Sequence, residues 1–96
     1  MTQAFNVLIV VEFHKTKEGM EKEILERLQE HGLEPIPTLQ RAHAWEMKVE
    51  AEDESLAKDK AIQEVYNVCR TYPFELRLLA QCGTGMILRR KKEFEV

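Results

Sequence analysis

The sequence predicts an α+β domain, one antiparallel sheet of four strands with two helices packed on one of its faces. Three observations predict it. Ala4–Phe13 alternates with a period of two, as a strand does. Two separate segments repeat their apolar residues every three or four positions, as helices do. After the second of these comes another alternating run, Phe74–Gln81. The 96 residues fit a single domain.

The elements follow in order. In "AFNVLIVVEF", Phe5, Val7, Ile9, Val11 and Phe13 share one face and Asn6, Leu8, Val10 and Glu12 the other. Both faces are apolar near the middle, which predicts a central strand. "TKEGMEKEILERLQEHG" places Met20, Ile24 and Leu28 in one stripe, widened by Leu25. Thr16 is the expected N-cap and Gly32 the expected C-terminal stop. Pro35 and Pro37 forbid helix in "LEPIPTLQ", and a short edge strand is expected over Ile36–Gln40.

A turn at Arg41 and Ala42 then leads into "HAWEMKVEA". There His43, Trp45, Met47 and Val49 lie on one face, with Ala44, Glu46, Lys48 and Glu50 on the other. A single strand over Leu39–Ala51 is the alternative to a hairpin. Asp53 caps the second helix, whose stripe is Ala57, Ala61, Val65 and Val68, and Pro73 stops it. In the last predicted strand, Phe74, Leu76, Leu78 and Ala80 alternate with Glu75, Arg77, Leu79 and Gln81. The resulting β-α-β-β-α-β order is the ferredoxin-like arrangement, which puts both helices on one face. We assign residues 1–85 to this domain and residues 86–96 to a charged C-terminal extension, an edge strand or a tail.

The chemistry-bearing residues exclude more than they suggest. A net charge of −3 gives no basic excess for a nucleic-acid surface, so nucleic acid is not the expected partner. The exception is the run Arg89, Arg90, Lys91 and Lys92, read as a solvated stretch balanced by Glu93 and Glu95. A nucleic-acid role through this run is the second alternative. Cys69 and Cys82 make no disulfide framework, which suits a cytoplasmic setting. No stretch is long and apolar enough for a membrane span. His14, His31 and His43 lack zinc spacing, and "CGTGM" lacks the lysine of a phosphate loop, so neither metal nor cofactor is expected. Ser55, the lone serine, sits in a helix first turn and has no triad partners around it, so no catalytic residue is assigned.

Two surfaces remain. One is a small-molecule position at the start of the first helix and on the third strand, with His14, Lys15, Lys17, His43 and Trp45 as its candidate residues. Core packing is the competing reading of Trp45, since a large aromatic among apolar neighbours is usually buried. The other is the sheet face away from the helices. Leu8, Val10, Ala44 and Leu79 form an apolar centre there, with Glu46, Lys48 and Arg77 around it. An apolar centre with a charged rim is how a protein interface is built, and it predicts a homo-oligomer. The strand edge nearest the C-terminus is a second route to the same assembly.

"KEGMEKEILERLQEHG", followed by a strand and then "WEMKVEAEDESLAKDKAIQEVYNVCR", resembles the small PurS subunit of phosphoribosylformylglycinamidine synthase. The resemblance runs from Asn6 to Leu79. It implies a ferredoxin-like, dimeric, non-catalytic subunit that bridges a glutaminase and a synthetase in a larger purine-biosynthesis complex. The family's Asp-Pro segment is missing between Lys15 and Met20, and its Arg-x-Gly-Lys corresponds here to Gln40, Arg41, Ala42 and His43. No functional residue of the family therefore transfers. The alternative is an ACT-like ligand-sensing domain, in which "TKEGM" would meet an amino acid. An acylphosphatase-like enzyme would need an arginine and an asparagine in a phosphate loop, where "HKTKEG" offers lysines.

Overall fold

A computed structural model describes residues 2–30, 42–83 and 85–95. The chain forms β1 (Gln3–His14), α1 (Met20–Glu30), β2 (Ala42–Ala51), α2 (Glu54–Cys69), β3 (Glu75–Cys82) and β4 (Leu88–Glu93). The four strands make one open antiparallel sheet in the order β2-β1-β3-β4. β1 is central, as its two apolar faces require. β2 and β3 flank it and run parallel to each other, joined by α2 as the crossover. This α+β arrangement is ferredoxin-like. The expected strand at Ile36–Gln40, the turn at Arg41 and the stop at Gly32 lie outside the described residues.

The core forms between the sheet and the helices. Val7, Ile9, Val11 and Phe13 of β1 are buried with Trp45 of β2 and Leu76, Leu78 and Ala80 of β3. Met20, Ile24 and Leu28 of α1 and Ala57, Ala61, Val65 and Val68 of α2 close it from the other side. The small residues on α2 let that helix sit close over the sheet, where it contacts β1, β2 and β3.

Two boundaries are explained by local chemistry. Asp53 is extended, at φ −150° and ψ 174°, and its carboxylate accepts from the Leu56 N–H at 2.8 Å. That satisfies one of the unpaired donors of the first turn. α1 corrects the expected cap at Thr16, because it starts only at Met20. Gly19 holds φ +81°, where a side chain is strained, and closes a turn with Met20 N–H donating to Lys17 C=O at 3.0 Å. Glu23 N–H then donates to Gly19 C=O at 3.3 Å, which makes Gly19 the residue at the cap position.

Within the expected extension, Leu88–Glu93 forms an edge strand. β4 pairs with β3 from Glu75↔Glu93 to Ala80↔Leu88. Phe94, just beyond it, is buried at 8% exposure and fastens the chain end to the core. Its N–H donates to Phe74 C=O at 2.9 Å, and its ring meets Phe74 at 5.5 Å and Tyr66 edge-on at 5.8 Å.

Candidate functional site: the open face of the sheet

Strand register turns the face opposite the helices into a grid of rungs. One rung is Glu46, Leu8 and Gln81 across β2, β1 and β3. The next is Ala44, Val10, Leu79 and Arg89 across all four strands. Then come Glu12, Arg77 and Lys91, and last His14, Glu75 and Glu93. Leu8, Val10 and Leu79 are half-buried, Ala44 is buried, and Glu46, Lys48, Arg77, Arg89 and Lys91 are exposed. A groove of about 480 Å³ crosses this face, with Val10 and Leu79 among its apolar lining and Glu12, Arg77, Arg89 and Lys91 among its charged one.

The basic run is divided by the pleat. Arg89 and Lys91 fall on the open face, while Arg90 and Lys92 point to the helix side, where Arg90 influences the Tyr66 hydroxyl of α2. Burial pushes that hydroxyl up, and the Arg90 charge partly opposes the shift. Four consecutive cations in the sequence thus become two on each face.

One end of the grid holds an ion cluster. Glu75 is only 3% exposed, yet it faces Lys15 at 3.8 Å, Arg77 at 3.0 Å and Lys91 at 3.5 Å. Loss of water alone would raise its carboxyl. The Arg77 hydrogen bond, with the charges of Lys91, Arg77 and Lys15, outweighs that and holds it below the ordinary range. A carboxyl lowered by folding contributes stability above its unfolded-state pKa and loses it as pH falls through the folded-state value. The urea midpoint is therefore expected to drop on acidification below the ordinary glutamate range. Glu75→Gln should flatten that acid limb; an unchanged pH profile would remove Glu75 from this role. Lys15 reaches the cluster from a left-handed residue, φ +59°, at the end of β1, and also meets Glu93 at 3.4 Å.

The five candidate small-molecule residues are not brought together. His14 is on the open face, bonded to Glu12. Lys15 belongs to the Glu75 cluster, and Lys17 uses its backbone carbonyl in the turn before α1. His43 lies on the helix face, 3.1 Å from Glu21 of α1 and 5.5 Å from the Phe13 ring. Trp45 is core, at 1% exposure, and its Nε1 has no hydrogen-bond partner among the described residues.

The thiols are buried as well. Desolvation pushes Cys69 up to about 12. Cys82 also rises, mainly from burial and then from Glu54, against a smaller opposing effect of Lys58. Both thiols are protonated near neutrality and poor nucleophiles. Lys58 instead donates to Met86 C=O at 2.8 Å, tying α2 to the turn before β4.

No sequence pattern marks Glu75 or Phe94 as a buried anchor. The alternation of Glu75 with Arg77 was visible, but its burial depends on Lys15 and Lys91, distant in sequence. Among the described residues no group of three His, Cys, Asp or Glu is placed to hold a metal ion, and no helix is long and apolar enough to cross a membrane. No protein-family model matches the chain, and neither a curated protein nor a solved structure matches it.

Proposed function

We propose that this chain is a small interaction subunit, serving assembly rather than turnover, that binds a second copy of itself through the open face of its sheet. The observation that carries this is the half-buried apolar centre Leu8, Val10 and Leu79 on the central strands β1 and β3. Both described helices pack on the opposite face, and these three side chains stay partly open to water. Covering them removes apolar surface from water, at roughly 25 cal/mol per Å². The charged rim of Glu46, Lys48, Arg77 and Arg89 keeps the isolated chain in solution.

Association through the β4 edge is disfavoured by its own charge. Antiparallel pairing of two β4 strands about the centre of Arg89–Lys92 would set Arg89 opposite Lys92 and Arg90 opposite Lys91. Like charges directly opposite one another destabilise a strand pair, and a charged edge is a common device against such pairing.

Light scattering at high micromolar concentration should therefore give the mass of a dimer. Val10→Lys or Leu79→Lys, each placing an ammonium in the centre of the face, should give a monomer with an unchanged circular dichroism spectrum. A monomeric parent, or folded lysine variants that remain dimeric, would defeat the proposal. The narrower form, a bridging subunit of the PurS kind, is supported by the sequence resemblance; co-purification with a glutamine amidotransferase tests it.

A further inference from the structure

We infer that two copies pack face to face about a two-fold axis parallel to the strands and centred between β1 and β3. This rests on the reading of the open face as the self-association surface and specifies its geometry. A symmetric dimer must match one patch to itself, so every contact occurs twice. Packed sheets with aligned strands lie about 10 Å apart. For this face, the aligned choices are an axis along the strands or one across them.

An axis along the strands sets each rung on the same rung of the partner, with β1 over β3 and β2 over β4. Val10 then meets the partner's Leu79, and Leu79 the partner's Val10. One rung on, Glu12 faces the partner's Arg77 and Arg77 the partner's Glu12, two ion pairs of opposite sign. Ala44, small and 7% exposed, lies under the partner's Arg89, where a large side chain needs room. Glu46, one rung away and exposed, is within reach of the same guanidinium.

An axis across the strands sets β4 over β4 and reverses the rungs. Lys91 then meets the partner's Lys91 when the axis passes through the charged rung, and Arg89 meets the partner's Arg89 when it passes through the Val10 rung. Centred on the charged rung, that arrangement opposes Glu12 to Glu12 and Arg77 to Arg77. Centred on the Val10 rung, it places the Glu12 carboxylate against the partner's Leu8. Each costs free energy that the first arrangement does not, since like charges are opposed in one and a carboxylate is set against an apolar side chain in the other.

Variants with one added cysteine discriminate the two. Ala44→Cys and Arg89→Cys are purified separately and treated with a short bis-maleimide, each alone and as an equimolar mixture after subunit exchange. The parent chain, with Cys69 and Cys82 buried, is the blank. A covalent dimer formed in the mixture and absent from either variant alone is the expected result. Glu46→Cys, exposed and one rung away, replaces Ala44→Cys if that variant loses its fold. Cross-linking of either variant with itself overturns the axis assigned, as does a parent that is dimeric by light scattering while the folded mixture yields no covalent dimer. A monomeric parent defeats the open-face reading itself, and the axis with it.

Discussion

Trp45→Ala is expected to cost about 3–5 kcal/mol of folding stability, the range for truncating a large aromatic that the core cannot collapse around. Trp45 is the largest of the fully buried side chains, at 1% exposure, and sits on β2 opposite Ile9 of the central strand. Its removal opens a void in the core cluster that it shares with β1, β3 and both helices. Trp45→Phe should cost less than half as much. It keeps one ring in the core and removes an indole N–H that has no partner among the described residues. Burying such a donor unpaired is itself unfavourable, by about 1–3 kcal/mol. Chemical denaturation of the three proteins, with unchanged slopes, is the measurement. An alanine variant within 1 kcal/mol of the parent, on the order of a surface substitution, would show that Trp45 is not a core anchor.

Phe94→Ala is expected to cost about 3 kcal/mol, at the lower end of the aromatic range because the residue follows the last strand. Its ring is the outer member of a chain of contacts, Phe94 to Phe74 at 5.5 Å and Phe74 to Phe13 at 5.6 Å, with Tyr66 edge-on beside it. β4 itself contributes little apolar surface, since Arg89, Arg90, Lys91, Lys92 and Glu93 are all exposed. Its attachment therefore depends on Phe94, on the ladder to β3 and on the Lys15–Glu93 contact. Hydrogen exchange should show the amides of 88–93 losing protection in Phe94→Ala far more than those of β1. Uniform loss across the sheet would mean that β4 does not open as a separate unit. Phe94→Leu, which keeps an apolar plug, should restore most of the protection.

How much of this was legible in sequence depends on whether a feature is local. The two-residue period of Val7, Ile9, Val11 and Phe13 predicted their burial, because a strand's pleat alone assigns them one side. Asp53 was recognisable as a cap, because its partner Leu56 is three residues away. Capping preference points to Thr16, which Gly19 outweighs. A left-handed glycine inside "TKEGM" closes the turn late, and capping preference alone does not register that. The candidate group of His14, Lys15, Lys17, His43 and Trp45 came apart for a simple reason. The pleat sends His14 and His43 to opposite faces, and Trp45 is consumed by the core.

The sequence by itself determined the fold class, the inward faces of β1, β2, α2 and β3, and the composition of the open face. Each follows from periodicity, which is a property of neighbours in the chain. Only the tertiary structure decided that Leu88–Glu93 joins the sheet, that Arg89 and Lys91 part from Arg90 and Lys92, and that Glu75 is buried among Lys15, Arg77 and Lys91. Those outcomes depend on strand order and register, set where β3 and β4 meet and where Phe94 finds Phe74 and Tyr66. No local pattern encodes such long-range pairings, because their free energy is realised only once the core they attach to exists.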